Sequence, residues 1–273
     1  IWKIESDQRG VMQTAYHIQV AASEKDLMRG RRLLWDSGKV DSDQSNHIRY
    51  AGEPLQARQR VYWHVKIWDT QNGQSDWSSP AYWEIGLLEP SDWSANWIES
   101  MVEESTDKSE PVQLFRQTFT PERRIEKARA YITSHGLYEA YINGKKVGNQ
   151  ELTPGWTTYG ERLQYQTYDV TNHLQEGENS VGVMLGDGWY RGWLAWQNRR
   201  NVYGDKLALL FQLEIEYTNG EVETIISDGN WKSSTGPILK SDIYNGEHYD
   251  ARLEEDGWAT ADYDDTDWVG VRQ

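Results

Sequence analysis

At 273 residues the chain has room for one large or two ordinary domains, and either is long enough to bury a real core. Its 15 Trp and 16 Tyr stand against only 3 Phe, a set tilted toward rings that carry a polar edge. The formal charge of −15 is uneven, since residues 1–90 hold 11 basic and 12 acidic side chains while residues 91–273 hold 17 and 31. That balance argues against nucleic acid, whose phosphates need clustered Lys and Arg, and suits a neutral ligand or a cation.

There is no Cys, hence no disulfide and no thiolate metal site, and the redox compartment is left open. No apolar run approaches the roughly 18 residues of a membrane span, so no membrane partner is expected. The sequence opens on Ile1 without a signal-like stretch. It reads as a piece of something longer, with cytoplasmic and periplasmic locations both open.

Residues 1–88 read as short strands and turns. Thr14, Tyr16, Ile18 and Val20 alternate with Ala15, His17 and Gln19, residues 46–50 are a further short candidate, and residues 60–69 alternate most cleanly. Period two there puts Val61, Trp63, Val65 and Ile67 on one face. Asn72-Gly73 signals a hairpin turn, and a last strand is expected over residues 81–85. Residues 24–34 fit a helical turn or a loop equally, because Gly30 and three arginines interrupt the apolar spacing. His17, His47 and His64 have no ligand spacing. The spacing of strands predicts a small Greek-key sandwich, and Tyr62, Trp63 and Val65 followed by Ser75, Trp77 and Ser78 resemble a fibronectin type III module.

Residues 89–111 read as a linker: Pro90, Ser91 and Ser94 break the pattern and residues 101–110 are polar and acidic. Trp93 and Trp97 are expected to tuck into the next domain. From residue 112 a larger strand series begins, with candidates at 114–119, 125–133, 136–142, 164–170, 179–185, 207–217 and 221–227. Asn143-Gly144 and Asn219-Gly220 mark two-residue turns. Residues 169–174 could form one helical turn. The class expected is all-β: the fibronectin type III-like sandwich (1–88), then a larger jelly-roll β-sandwich, galactose-binding-like, over 112–273. Trp258 and Trp268 are expected to fold back onto it.

Between two apolar runs lies residues 186–204, with four glycines, five large aromatics and four charged groups. It reads as a shaped surface loop, since a buried connection would not carry so many polar groups. Asp187, Trp189, Tyr190, Arg191, Trp196, Asn198 and Asn201 are the candidate substrate-binding residues: flat rings with polar edges beside directed hydrogen-bonding groups are the chemistry of a sugar surface. A structural loop closing one end of the sandwich is the alternative.

The motifs Gly136-Leu137-Tyr138-Glu139, Tyr141-Ile142-Asn143-Gly144-Lys145-Lys146-Val147-Gly148, Leu152-Thr153-Pro154-Gly155-Trp156-Thr157, Gly186-Asp187-Gly188-Trp189-Tyr190-Arg191-Gly192 and residues 242–252 occur in an order that resembles bacterial α-L-rhamnosidases of glycoside hydrolase family 78. The resemblance covers nearly the whole chain. It implies the N-terminal part of such an enzyme, with the hydrolytic carboxylates in a helical barrel further along and inversion at terminal α-L-rhamnose. The partners implied are an L-rhamnose-containing carbohydrate and that catalytic domain.

No helical periodicity of barrel length exists in these residues, so no hydrolysis is expected from them. Asp187, Asp205, Asp242, Glu247 and Asp250 are available for the acid and base that inversion needs about 6.5–9.5 Å apart, but read as solvated or turn-forming; Arg252 is expected to pair with a nearby carboxylate. In some relatives calcium bridges L-rhamnose to a module of this type. The corresponding turn is Gly148-Asn149-Gln150-Glu151, with amides where a carboxylate is expected, and calcium wants six to eight oxygens. Calcium therefore stands as a possible cofactor and no ligand set is assigned.

Overall fold

The computed structural model describes residues 1–71, 73–194 and 199–273. The chain is built of β-sheet and divides into two compact units, Ile1–Trp93 and Ser94–Gln273. Asn72 of the expected Asn72-Gly73 turn lies outside the described residues.

In the first unit β1 (Gln13–Ala21) pairs antiparallel with β2 (Leu33–Asp36), β3 (Val40–Asp41) and β4 (Arg60–Asp69), and β5 (Ala81–Glu84) flanks β4. Alternation selects the core: Tyr16, Ile18 and Val20 from β1 meet Val61 and Val65 from β4, with Trp63 and Ile67 packed on the same cluster. Residues 46–50 form no strand, but Ile48 and Tyr50 still lie against this core. Of the two readings of residues 24–34, a five-residue helix, α1 (Glu24–Met28), is found. Ser23 Oγ caps it by accepting from the Asp26 amide, and Leu27 is buried beneath it.

Among the described residues the second unit holds one two-stranded hairpin sheet and two large facing sheets. One runs β10 (Lys145–Lys146), β9 (Leu137–Ile142), β12 (Asn179–Gly186), β7 (Gln113–Phe119), β15 (Lys232–Thr235), β18 (Val269–Arg272), β6 (Glu99–Ser100). The other runs β11 (Gln166–Asp169), β8 (Ile125–His135), β13 (Ala208–Tyr217), β14 (Val222–Ile226). Their inward residues form one cluster: Tyr138, Ala140 and Ile142; Val181, Val183 and Leu185; Ala128, Ala130 and Ile132; Leu209, Phe211, Leu213 and Ile215. Each set is spaced by two, as a strand with one buried face requires. Trp231, 1% exposed, fills the middle against Phe211.

Two turns set the frame for the site. Asn143 and Gly144, both at positive φ (51° and 75°), make the tight turn from β9 to β10. Gly136 passes the chain from one sheet to the other at φ 126°, where a Cβ would lie 2.5 Å from the Gly186 carbonyl oxygen. Residues 171–173 form the single helical turn expected near there. Strands β15 to β18, including the hairpin of β16 (Ile238–Asp242) and β17 (Gly246–Tyr249), were not expected from the sequence. The four residues of β17 are all exposed, so no apolar alternation announces them. Trp258 and Trp268 do fold back, stacked on each other, and Trp258 closes over Gly182 in β12.

Candidate functional site

The stretch after β12 turns at once into a single helical turn, α2 (Gly188–Arg191). Its polar groups, expected at a loop surface, are instead partly interior. Asp187 is 2% exposed and Arg191 1%. Arg191 Nε donates to Asp187 Oδ1 at 2.6 Å, and its two Nη atoms donate to Glu104 at 2.6 and 3.2 Å. Arg200 Nη2 approaches the other Asp187 oxygen at 3.4 Å. A buried charge survives only when paired in this way. Burial pushes Asp187 up against the pull of the two arginines. Burial alone would lower Arg191, but the hydrogen bonds to Glu104 and the charge of Asp187 outweigh it and raise the guanidinium. A ligand at the surface meets neither group, so the pair holds α2 in place.

Around α2 the aromatic residues form a continuous series. Trp97 stacks on His135 at 4.4 Å, His135 on Tyr190 at 4.6 Å, and Tyr159 sets its edge to Tyr190 at 5.3 Å and to Tyr203 at 4.9 Å. Trp156 Nε1 donates to Tyr203 Oη at 3.0 Å, and the Trp156 ring lies parallel to Trp189 at 5.5 Å, tilted by 8°. Tyr190 is raised by burial, and burial pushes Tyr159 up to about 12, so these phenols remain neutral donors at neutral pH. The loop carrying Trp156 is pinned to β9: the Tyr138 amide donates to Thr153 O at 2.8 Å, and Thr153 Oγ1 to Tyr138 O at 2.7 Å. Trp156 itself is 52% exposed.

Gly188 also lines a groove of about 440 Å³ with Leu137, Glu139, Glu151, Asp242 and Glu247. Its acids are largely committed. Asp242 is buried and accepts from the Trp193, Tyr244 and Asn245 amides at 2.8–3.0 Å, so it fixes the β16–β17 turn. Glu139 and Glu151 share the Lys146 ammonium, and Glu139 also accepts from Tyr141. Asp250 pairs with Arg252, as the sequence suggested. The Gly148 to Glu151 turn thus offers calcium one exposed carboxylate already held by Lys146, which does not fit that ion. Among the described residues no three His, Asp or Glu side chains gather as a metal would need.

Of the seven candidate binding residues, Trp189 and Tyr190 are half-buried in the aromatic series, and Asp187 and Arg191 form the ion pair beneath it. Asn201 sits at φ 57° and donates to the Thr106 carbonyl at 2.8 Å, which ties residues 101–110 to this end. Trp196 and Asn198 lie outside the described residues. Sequence reasoning missed Trp156, Tyr159 and Tyr203; the only available signal was the place of Trp156 within the Leu152 to Thr157 motif.

Residues 123–273 match the α-L-rhamnosidase N-terminal domain family, and residues 1–89 match an N-terminal immunoglobulin domain of the Rha78A-like type. An α-L-rhamnosidase of Formosa agariphila is 38% identical over 99% of this chain, which spans 30% of that relative's length. The crystal structure of the native Aspergillus terreus α-L-rhamnosidase superposes with a TM-score of 0.87 at 36% identity, over 98% of this chain and 31% of that one. The Streptomyces avermitilis enzyme, solved with L-rhamnose, gives 0.82 at 27% identity over 98% of this chain and 42% of that one. A Streptomyces avermitilis α-L-rhamnosidase sequence aligns over 437 positions against these 273 residues, so it carries long insertions inside the matched stretch. With likeness running through nearly every residue, in sequence and in backbone alike, the chain belongs to the α-L-rhamnosidase family, corresponding to its N-terminal domains.

Proposed function

We propose that this chain is the non-catalytic N-terminal part of an enzyme that hydrolyses terminal α-L-rhamnose with inversion, and that it supports a catalytic domain carried elsewhere in that enzyme. The first unit is a fibronectin- or immunoglobulin-type sandwich and the second a jelly roll. The observation that carries the reading is the fate of the acids. Asp187, Asp242 and Asp250 are each bound to fixed partners within the fold, and a general acid and base must instead face a sugar across a gap. The exposed side chains of Leu152, Tyr244, Tyr249 and Leu253, 46–58% accessible, supply the docking face for the catalytic domain.

Within this role the loop end of the second unit handles the rhamnoside. The neutral phenols, the exposed indole and the negative surrounding charge suit a neutral sugar, and no metal is needed for ring stacking. Purified chain is expected to release no p-nitrophenol from p-nitrophenyl α-L-rhamnopyranoside above the uncatalysed rate. Turnover that disappears in an Asp242→Asn or Glu247→Gln variant would overturn the supporting role. Calorimetric titration with L-rhamnose is expected to give the same heat in calcium and in chelator; heat that requires calcium would refute metal-free binding.

A further inference from the structure

We propose that the outward face of Trp156 is a preformed platform for a neutral 6-deoxyhexopyranose ring, with Trp189 backing it and Tyr203 fixing its edge. The inference rests on the sugar-handling reading above and gives it a location. Trp156 has one ring face against Trp189 and its Nε1–H on Tyr203, yet 52% of the residue is accessible. The accessible half is therefore mainly the opposite face of the indole. Exposed aromatic side chains ordinarily lose rotamer freedom when a ligand settles on them, and that loss weakens binding. Here the ring is ordered beforehand. Trp189 stands on α2, which the buried Asp187–Arg191–Glu104 pairs fasten, and Tyr203 is buttressed by Tyr159.

The chemistry of the face selects the ligand. A flat indole rewards a ring with an apolar side, and a methyl group in place of a hydroxymethyl enlarges that side. A phosphorylated or carboxylated sugar would be repelled by a chain of charge −15, whereas a neutral one is not. The loop geometry is set from below as well. Gln166 Nε2 donates to the Pro154 carbonyl at 3.1 Å and Tyr159 Oη to the Gly155 carbonyl at 2.9 Å, one residue before the indole.

The test is titration of the full chain, labelled with nitrogen-15 at its tryptophan indoles, with L-rhamnose, alongside calorimetry of wild type, Trp156→Ala, Trp156→Phe and Tyr203→Phe. The Trp156 and Trp189 indole signals should move together and saturate. Trp156→Ala should weaken binding at least about tenfold, the equivalent of one stacking contact. Trp156→Phe should retain most of the affinity, and Tyr203→Phe, which releases the indole edge, should lie between. Because Trp156 is half exposed and gives up only its contacts with Trp189 and Tyr203, the alanine variant should remain folded, with a melting temperature lowered by no more than a few degrees. Rhamnose heat that is unchanged in Trp156→Ala would sink the platform and leave sugar handling in place. No heat and no indole shift in the wild type would sink both.

Discussion

Replacing Arg191 by Met keeps most of the side-chain volume and removes the charge. Arg191 is 1% exposed and gives three hydrogen bonds, two of them at 2.6 Å, to two carboxylates, Asp187 and Glu104, themselves mostly out of water. Removing one partner of such a pair typically costs about 3–5 kcal/mol, because an uncompensated charge is left behind. Two features place this site at the lower end. Arg200 stays 3.4 Å from Asp187, and Glu104, with 16% of its side chain exposed, can turn to water. A loss of about 3 kcal/mol in a unit of this size lowers its melting temperature by about 6–12 °C. Differential scanning calorimetry should show that shift in the transition of the second unit and none in the first. Raising the salt concentration should change it little, since a buried pair is poorly screened. A loss below about 1 kcal/mol, the range of an exposed pair, would refute the account of Arg191 as the residue that anchors α2.

Gly188→Ala should destabilise the second unit by about 2–4 kcal/mol, from a left-handed backbone and overpacking together. Its φ is 53° and a Cβ there would lie 2.4 Å from Leu137 Cγ; denaturant unfolding that moves by less than about 1 kcal/mol would contradict this placement of α2. Stability should also fall on acidification. His64 is lowered first by burial and then by His17 and Lys66, and His135 is lowered by burial against the pull of Glu99. For both, the unfolded state binds the proton first, so stability is full above the unfolded value of about 6.5 and is lost as pH falls toward each folded value. Urea unfolding between about pH 7.5 and pH 5 should show this in each unit, and a His135→Gln variant with undiminished pH dependence in the second would contradict it.

Two kinds of strand were legible in the sequence. Residues 60–69 reappear as β4 through their alternation, and residues 207–217 as β13 within a residue through a near-continuous apolar run, the mark of a strand buried on both faces. The Asn143-Gly144 turn was readable for a local reason, since two successive positive φ values favour that dipeptide. The interior of α2 was not readable. Its ion pair depends on Glu104, which lies 87 residues from Arg191 in an acidic run that looks solvated in isolation. The same holds for β15 and β18. Ser233 is buried in the middle of Lys232-Ser233-Ser234-Thr235, which has no apolar residue, and β18 offers only Val269 and Val271 on one face, too short a run to announce a strand. Trp156 stood out in the sequence only as part of a motif, because nothing local distinguishes an exposed indole from a buried one.

Strands β6 and β18 are partners in the same sheet although one opens the second unit and the other ends at Arg272. A nascent chain therefore cannot close this edge while it is being synthesised. Until residues 269–272 leave the ribosome, β15 lacks its outer neighbour and β6 has no strand to join. The first unit draws its sheet from residues 13–84 and can fold as it emerges, whereas the second must wait for nearly its full length, with loop closure across about 170 residues as its last step. During that interval the edge of β15 is open to pairing with other chains, a hazard that the final stability of the folded unit does not remove.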